Sequence, residues 1–495
     1  MYLDNEKQLW IAKGMKPVYL NPKMANRHGL IAGATGTGKT ITLKVMAESF
    51  SDMGVPVFLA DIKGDLTGMC KLGESNENIQ KRVEKLEIED FSFREYPTRF
   101  FDVFGKKGLP VRTTISEMGP ELLARLLDLN DTQSGILTII FKIADDQGML
   151  LLDLKDLKSM VRYVGDHNID FRTEYGNIST QSIGSIQRAL LQLEEQGGDI
   201  FFGEPALDIF DWLCTGTDGR GMINILECDE LFQKPLLYST FMLWMLSELY
   251  ENLPEAGDLE KPKIVFFFDE AHLLFDDAPK ALLQKTEQVV RLIRSKGVGV
   301  YFITQKPSDI PENVLAQLGN KVQHALRAYT PNEQKAVKAA AQSFRVNPAF
   351  DTEEVMMELG TGEALVSFLD QEGVPSIVER AFILPPMSHM GSVDESVRDS
   401  IIKTGTLYDK YSREIDRDSA YEYLERKMKQ EAAEDEEAAK KELRASGSKA
   451  ETKKNGGRTK KTATEKMADT ALRTVSREVT RSVTRGLLGS LKKLF

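Results

Sequence analysis

Apolar residues occur along the chain in short continuous runs that alternate with helix-like segments, a pattern typical of a parallel β-sheet flanked by helices. Residues 28–33 and 55–61 are predicted strands, and residues 39–54 between them are a predicted helix that ends at a glycine. Such units normally connect parallel strands by a right-handed crossover. We therefore predict a βαβ unit near the start of the chain.

A second strand-rich block begins at Lys263. The run IVFFF before Asp269 and Glu270 is continuously apolar, as expected of a central strand buried on both faces. A helical segment is predicted around residues 278–296, and further strands are predicted at 297–305, 321–329, 360–369 and 376–384. Together the two blocks predict an α/β fold with a mainly parallel sheet.

The segment between these blocks has mainly helical periodicity, for example at residues 120–129 and 183–196. The apolar stretch at 236–250 is too short for a bilayer-spanning helix and contains Glu248, so we interpret it as a buried core helix. The predicted organisation is an α/β core divided by a helical insertion and followed by a helical extension, a charged flexible or partly helical linker and an amphipathic helix. The predicted ranges, in that chain order, are 1–111 (first part of the core), 112–261 (insertion), 262–390 (second part of the core), 391–428, 429–464 and 465–495.

In the last of these ranges, apolar residues and arginines each recur every four residues, on different faces of a predicted helix. Such a helix could dock on a protein partner, a membrane surface or nucleic acid, or it could pack an oligomer through its apolar stripe.

Composition limits the possible functions only loosely. The net charge of −11 argues against a protein coated in basic surface, although it leaves room for a local basic channel. The three cysteines are widely spaced and suggest neither a disulfide framework nor a zinc site. The first ten residues lack the features of a secretory signal, so we expect a cytoplasmic protein.

The clearest chemical signal is GATGTGKT, which matches the phosphate-binding pattern G-x-x-x-x-G-K-[ST] between a predicted strand and a predicted helix. Its glycines allow successive backbone N–H groups to point at phosphate oxygens. Lys39 is predicted to reach the β- and γ-phosphates of ATP, and Thr40 to bind Mg²⁺. The predicted nucleotide-binding residues are Gly33, Ala34, Thr35, Gly36, Thr37, Gly38, Lys39 and Thr40.

Two further strand ends carry candidate catalytic groups. Asp269 ends the IVFFF strand, where a carboxylate would hold Mg²⁺, and Glu270 is placed to activate a water. Gln305 ends the next predicted strand and could position that water. Asp61 is either a group near the metal or a turn residue, and the sequence does not decide between them. His28 and His272 flank the two motifs and receive no catalytic role.

Several segments together resemble the HerA/FtsK superfamily of DNA-pumping ATPases, and most of all its bacterial HerA-like helicase branch. They are NRHGLIAGATGTGKT, VFLADIKGDLTG, FFFDEAHLL, the stretch from ITQKPSDIP to NEQKAV, and GTGEALVSFL. The resemblance implies a RecA-like core that assembles into a ring, most commonly a hexamer, with ATP at the subunit interfaces. It also implies an arginine supplied by the neighbouring subunit, for which Arg327 fits best and Arg291, Arg294 and Arg380 fit less well. Fewer than three dozen residues precede Gly33, so the β-barrel of archaeal HerA proteins is not expected in this chain.

The leading hypothesis is an ATP-hydrolysing ring motor that translocates on or unwinds DNA. The alternative is a regulatory or scaffold NTPase, whose ATP-dependent assembly recruits a protein or membrane partner through the C-terminal helix.

Overall fold

The structure is a computed structural model that describes residues 1–257, 259–275 and 280–450. The strands are β1 (Tyr2–Leu3), β2 (Gln8–Lys13), β3 (Pro17–Leu20), β4 (Gly29–Ala32), β5 (Val57–Asp61), β6 (Thr98–Asp102), β7 (Leu109–Pro110), β8 (Ile223–Glu227), β9 (Ile264–Phe268), β10 (Val298–Thr304), β11 (Asn320–Gln323), β12 (Glu363–Ser367) and β13 (Glu379–Ile383). The α-helices are α1 (Lys39–Asp52), α2 (Glu77–Leu86), α3 (Ile115–Leu126), α4 (Asp131–Asp146), α5 (Leu154–Asp166), α6 (Asn168–Tyr175), α7 (Thr180–Glu195), α8 (Gly198–Phe201), α9 (Pro235–Asn252), α10 (Lys280–Leu292), α11 (Glu312–Leu315), α12 (Pro331–Gln342), α13 (Thr352–Glu358), α14 (Glu395–Thr404), α15 (Tyr408–Tyr411) and α16 (Ala420–Ala450).

The strands pair into one sheet in the order β1-β2-β13-β12-β11-β4-β10-β9-β5-β8-β6-β7, with β3 paired to β2. Every pair from β11 to β7 is parallel, whereas β1, β2, β3, β12 and β13 form an antiparallel margin beside β11. The predicted α/β class with a mainly parallel sheet is therefore confirmed.

The core covers both faces of the sheet, as β9 illustrates. All five of its residues are buried, and alternate side chains point to opposite faces. Phe266 and Phe268 belong to the larger apolar cluster, which also contains α9, while Phe267 belongs to the cluster around α1. A strand buried in this way needs apolar residues at every position, which explains the unbroken run IVFFF.

The position of β4 is fixed by a close approach to an aromatic ring. Tyr301 on β10 stacks on Phe267 at 5.1 Å, and a Cβ added at Gly29 would lie 2.3 Å from the Tyr301 ring. Only glycine fits there, so β4 can pair closely with β10. This pairing sets where the glycine-rich loop after β4 begins.

The range 112–261, which the sequence assigned to a helical insertion, contains helices α3–α9 and also the strand β8. This strand lies inside the sheet between β5 and β6. Residues 1–425 form one compact unit, and the proposed division of the core stays a prediction. Helix α9 is buried over nearly all of its surface, as expected for the apolar stretch 236–250.

Among the described helices, none has the length and apolar character needed to cross a membrane. Helices α14 and α15 follow the sheet in the predicted helical extension. In the second unit, residues 426–495, the described part up to 450 is helical. The predicted amphipathic helix at 465–495 lies outside the described residues.

Candidate functional site

The loop GATGTG connects β4 to α1 and is braced from one side by the turn before β12. The backbone N–H of Gly362 donates to the carbonyl of Thr37 at 2.9 Å. Gly38 has a φ of 116°, and a Cβ added there would lie 3.2 Å from the Cα of Gly362. A side chain at this position would be strained by both the backbone and its neighbour. Lys39 and Thr40 follow in the first turn of α1.

A buried histidine, His324, packs against the same loop, because a Cβ added at Gly38 would lie 3.4 Å from its Cε1. Its Nδ1 lies 2.9 Å from the carbonyl of Glu363, and its Nε2 lies 2.7 Å from Oγ1 of Thr42 on α1. A neutral ring satisfies both bonds by donating from Nδ1 and accepting at Nε2. Burial lowers the pKa of His324 to about 4, which keeps the ring neutral. No role for His324 was predicted from the sequence, although the residue lies in the predicted strand segment KVQHALRAY.

Lys39 lies against the loop that it follows. Its Nζ donates to the carbonyls of Gly33 at 2.6 Å and Ala34 at 3.1 Å. Burial lowers the pKa of Lys39, while the charges of Glu270 and Asp269 act in the opposite direction. The lysine and the two acids, which are more than 200 residues apart in sequence, therefore share one electrostatic environment.

The two acids follow β9, which is separated from β4 in the sheet only by β10. Burial raises the pKa of Asp269 to about 6, with the charge of Glu270 adding to this shift and that of Lys63 opposing it. Burial alone would also raise the pKa of Glu270, but a hydrogen bond and the charge of Lys63 outweigh it and lower the pKa. Glu270 has left-handed backbone angles, φ 46° and ψ 48°, at the start of a short 3₁₀ turn.

Asp61 ends β5, beside β9, and acts as the centre of a turn. Its carboxylate accepts the backbone N–H groups of Lys63 at 3.2 Å, Gly64 at 2.8 Å and Leu66 at 2.9 Å. Of the two roles left open by the sequence, these contacts favour the turn residue. His28 likewise has a structural contact, because its Nδ1 accepts the N–H of Val300 at 3.1 Å.

Gln305 lies at the same edge of the sheet. It is exposed and directly follows Thr304, whose carbonyl accepts the N–H of Gly33 at 3.2 Å. Gln305 therefore adjoins the glycine-rich loop through the backbone of β10.

Arg327 lies on the exposed surface, with its Nη1 donating to the carbonyl of Met357 at 2.6 Å. Of the other candidate arginines, Arg380 pairs with Glu363 at 3.1 Å. Arg291 and Arg294 are exposed near the end of α10. Any role of these arginines towards a neighbouring subunit stays a prediction.

A cavity of about 540 Å³ opens beside the start of α1. Its apolar lining includes Ile41 and Phe382, and its basic lining comes from α2. Arg82 on α2 lies over the Phe382 ring and donates to the carbonyls of Gly362 and Thr361 at 3.0 and 3.2 Å. The cavity and the glycine-rich loop thus share a wall at Gly362. The sequence analysis did not anticipate this cavity.

Comparison with known families decides the classification. The profile of the family described as "Helicase HerA-like C-terminal" matches residues 6–494. The chain belongs to this family. A relative named DNA double-strand break repair helicase HerA, from Sulfurisphaera tokodaii, is 22% identical over 353 residues, covering 69% of this chain and 62% of the relative. A probable helicase of Methanocaldococcus jannaschii is 23% identical over 355 residues, covering 70% of this chain and 60% of the relative.

The chain therefore spans less than two thirds of the length of these HerA-like relatives. Among solved structures, the bacterial conjugative coupling protein TrwB, lacking its N-terminal segment, matches with a TM-score of 0.51 and 13% identity. A TrwB complex with a non-hydrolysable GTP analogue matches with a TM-score of 0.52 and 14% identity. In both cases 76% of this chain and 89% of the other chain are covered. These matches confirm the predicted fold, an α/β core with a mainly parallel sheet.

We expect the neutral state of His324 to make the protein less stable in acid. The pKa of His324 is about 4 in the folded protein, whereas the ordinary value is 6.5. Between these two pH values the histidine is protonated in the unfolded chain but neutral in the folded one, so lowering the pH favours unfolding. From pH 7 to pH 4.5, the wild type should lose about 2 kcal/mol more free energy of unfolding than a His324→Gln variant. Denaturant unfolding at several pH values measures this difference, and parallel curves for the two proteins would contradict the assignment.

Proposed function

We propose that the protein hydrolyses ATP with Mg²⁺ and uses the energy to move along or unwind DNA as a ring of identical subunits. The observation that carries the proposal is the convergence of Lys39, Asp269 and Glu270 at one sheet edge. The family membership and the helicase names of the relatives support the DNA part.

The donor set at this edge fits a magnesium-bound triphosphate. Thr40 offers a hydroxyl and Asp269 a buried carboxylate, and oxygen ligands of this kind are those that Mg²⁺ prefers. When bound, the ion would neutralise charge on the phosphates. The N–H groups of the loop and the start of α1 would surround the phosphate oxygens.

In the proposed reaction a water oxygen attacks the γ-phosphorus. The bond from that phosphorus to the β,γ-bridging oxygen breaks, which leaves ADP and inorganic phosphate. Glu270 accepts a proton from the attacking water, Lys39 holds the phosphates, and Gln305 helps to position the water. Arg327 is our candidate for the arginine that reaches the γ-phosphate of the neighbouring subunit.

We assign the cavity beside α1 to the base and ribose of the nucleotide. It lies next to Ile41, just beyond the phosphate-binding residues, and the Phe382 ring offers an apolar surface beneath the cations of α2. Pockets that are mostly apolar with a few polar groups suit such ligands.

The central test is an ATPase assay with and without single- and double-stranded DNA. We expect DNA to stimulate turnover in the wild type. Glu270→Gln should lower kcat by about 100-fold or more, because it removes the general base, while ATP binding persists. Lys39→Ala should abolish turnover by weakening phosphate binding, whereas Lys142→Ala, on the exposed face of α4, should behave as the wild type. If neither DNA nor RNA changes the rate of ATP hydrolysis, the nucleic-acid part of the proposal is wrong.

Filling the cavity should separate base binding from phosphate binding. We expect Ile41→Trp to weaken ATP binding by about 10-fold or more, because the indole occupies space assigned to the nucleoside. Binding of inorganic tripolyphosphate should stay unchanged, whereas Lys39→Ala should weaken both ligands. Calorimetric titration measures both affinities, and an equal loss for ATP and tripolyphosphate would argue against this assignment.

Ring assembly with a shared site predicts complementation between two inactive variants. An Arg327→Ala subunit retains an intact phosphate-binding loop, and a Lys39→Ala subunit retains Arg327. In a mixed ring, some interfaces therefore pair an intact loop from one variant with an intact arginine from the other. We expect each variant alone to be inactive and their mixture to regain ATPase activity. If the mixture stays inactive although light scattering shows mixed assemblies, the role of Arg327 across the interface is wrong.

A further inference from the structure

A side-chain contact between Lys63 and Glu270 links the ends of the neighbouring strands β5 and β9. Lys63 follows β5, and its Nζ donates to Oε1 of Glu270 at 2.5 Å. The Glu270 side chain is only 10% exposed, while that of Lys63 is 46% exposed. The lysine therefore reaches inward from the surface to the buried acid of the next strand. A buried carboxylate is costly unless it is paired or hydrogen-bonded, and Lys63 supplies that partner.

The two oxygens of Glu270 have different surroundings. Oε1 is held by Lys63, whereas Oε2 is buried and accepts no hydrogen bond from any described residue. Its neighbour at 3.4 Å is Nδ1 of His272. One oxygen is thus fixed by a charge-assisted bond, and the other keeps its lone pairs available.

Lys63 is itself held in place by the turn around Asp61. The Lys63 N–H donates to Oδ1 of Asp61 at 3.2 Å, and the same carboxylate accepts the N–H groups of Gly64 and Leu66. Asp61 ends β5 and pairs directly with β8, so the turn starts from a buried point of the sheet. Because β5 also pairs with β9, with Ala60 opposite Phe268, the Lys63 backbone is anchored close to the strand that precedes Glu270.

We infer that Lys63 is a positioning residue for ATP hydrolysis, which fixes the orientation of the Glu270 carboxylate through its bond to Oε1. This inference deepens the proposed function and rests on it. Lys63 acts only through Glu270 and makes no contact of its own with the phosphates. A merely structural ion pair would affect stability, whereas a positioning residue affects the rate of the chemical step.

The primary test compares Lys63→Met and Lys63→Arg with the wild type in the ATPase assay. Lys63→Met should lower kcat by about 10-fold to 100-fold with little change in KM, because substrate binding does not depend on Glu270. Lys63→Arg should recover much of the loss, since it restores a donor to Oε1. A matched control is Lys142→Met, which removes a lysine–carboxylate bond of the same 2.5 Å length from an exposed helix face. An unchanged kcat in Lys63→Met would overturn the inference.

A double-variant cycle decides whether Lys63 acts through Glu270. In the Glu270→Gln background, Lys63→Met should cause no further loss of kcat, because the group that it positions is already absent. An additional loss of 10-fold or more would indicate direct contact between Lys63 and the phosphates and would overturn the inference.

Melting temperatures of the same four proteins separate this inference from the proposed function. Lys63→Met should lower Tm by about 2 °C or more in the wild-type background and much less beside Glu270→Gln, because only an ionised Glu270 is left unpaired. Independent Tm shifts would overturn the Lys63–Glu270 contact even if ATPase activity is found. If the wild type had no ATPase activity, the proposed function would be overturned. The catalytic role of the Lys63–Glu270 contact would then be overturned as well.

Discussion

The site depends on the parallel pairing of three neighbouring strands, β4, β10 and β9. In this register Ala32 lies opposite Thr304, and Phe302 lies opposite Phe268. Because the carboxyl ends of parallel strands lie at the same edge of a sheet, the glycine-rich loop, Gln305 and the Asp269–Glu270 pair lie side by side there. All three strands are buried on both faces, so a slip of one residue would exchange the packing of every side chain. The core therefore fixes the position of the chemical groups as well as the fold.

Several buried carboxylates lie at the same edge of the sheet, and each accepts hydrogen bonds from particular donors. Asp61 accepts three backbone N–H groups of the turn after β5, and Asp102 accepts three in the turn after β6. Those two acids shape loops. Glu270 instead accepts a hydrogen bond from the side-chain ammonium group of Lys63 at Oε1, and its buried Oε2 has no hydrogen-bond donor among the described residues. The donors therefore differ in kind: backbone N–H groups hold the two acids that shape turns, whereas a side chain holds the acid that we propose as the general base.

The parallel core could be predicted from the sequence because strands buried on both faces need unbroken apolar runs. The glycine-rich loop could be predicted because its backbone geometry restricts the residues allowed. The strand β8 was missed because its five residues lie among strongly helical segments, and no local pattern shows which sheet they join. The roles of His324 and Lys63 come from contacts with residues 282 and 207 positions away, which sequence periodicity cannot report.

The contact between Gly362 and Thr37 has a thermodynamic consequence for the loop. Glycine-rich segments lose more conformational freedom on ordering than other segments, and this loss normally opposes ligand capture. Here the turn before β12 holds the loop through the bond from Gly362 to Thr37, and His324 packs against Gly33 and Gly38. The conformational entropy of the loop is thus lost when the protein folds, so a ligand of the kind we propose would bind a loop that is already ordered.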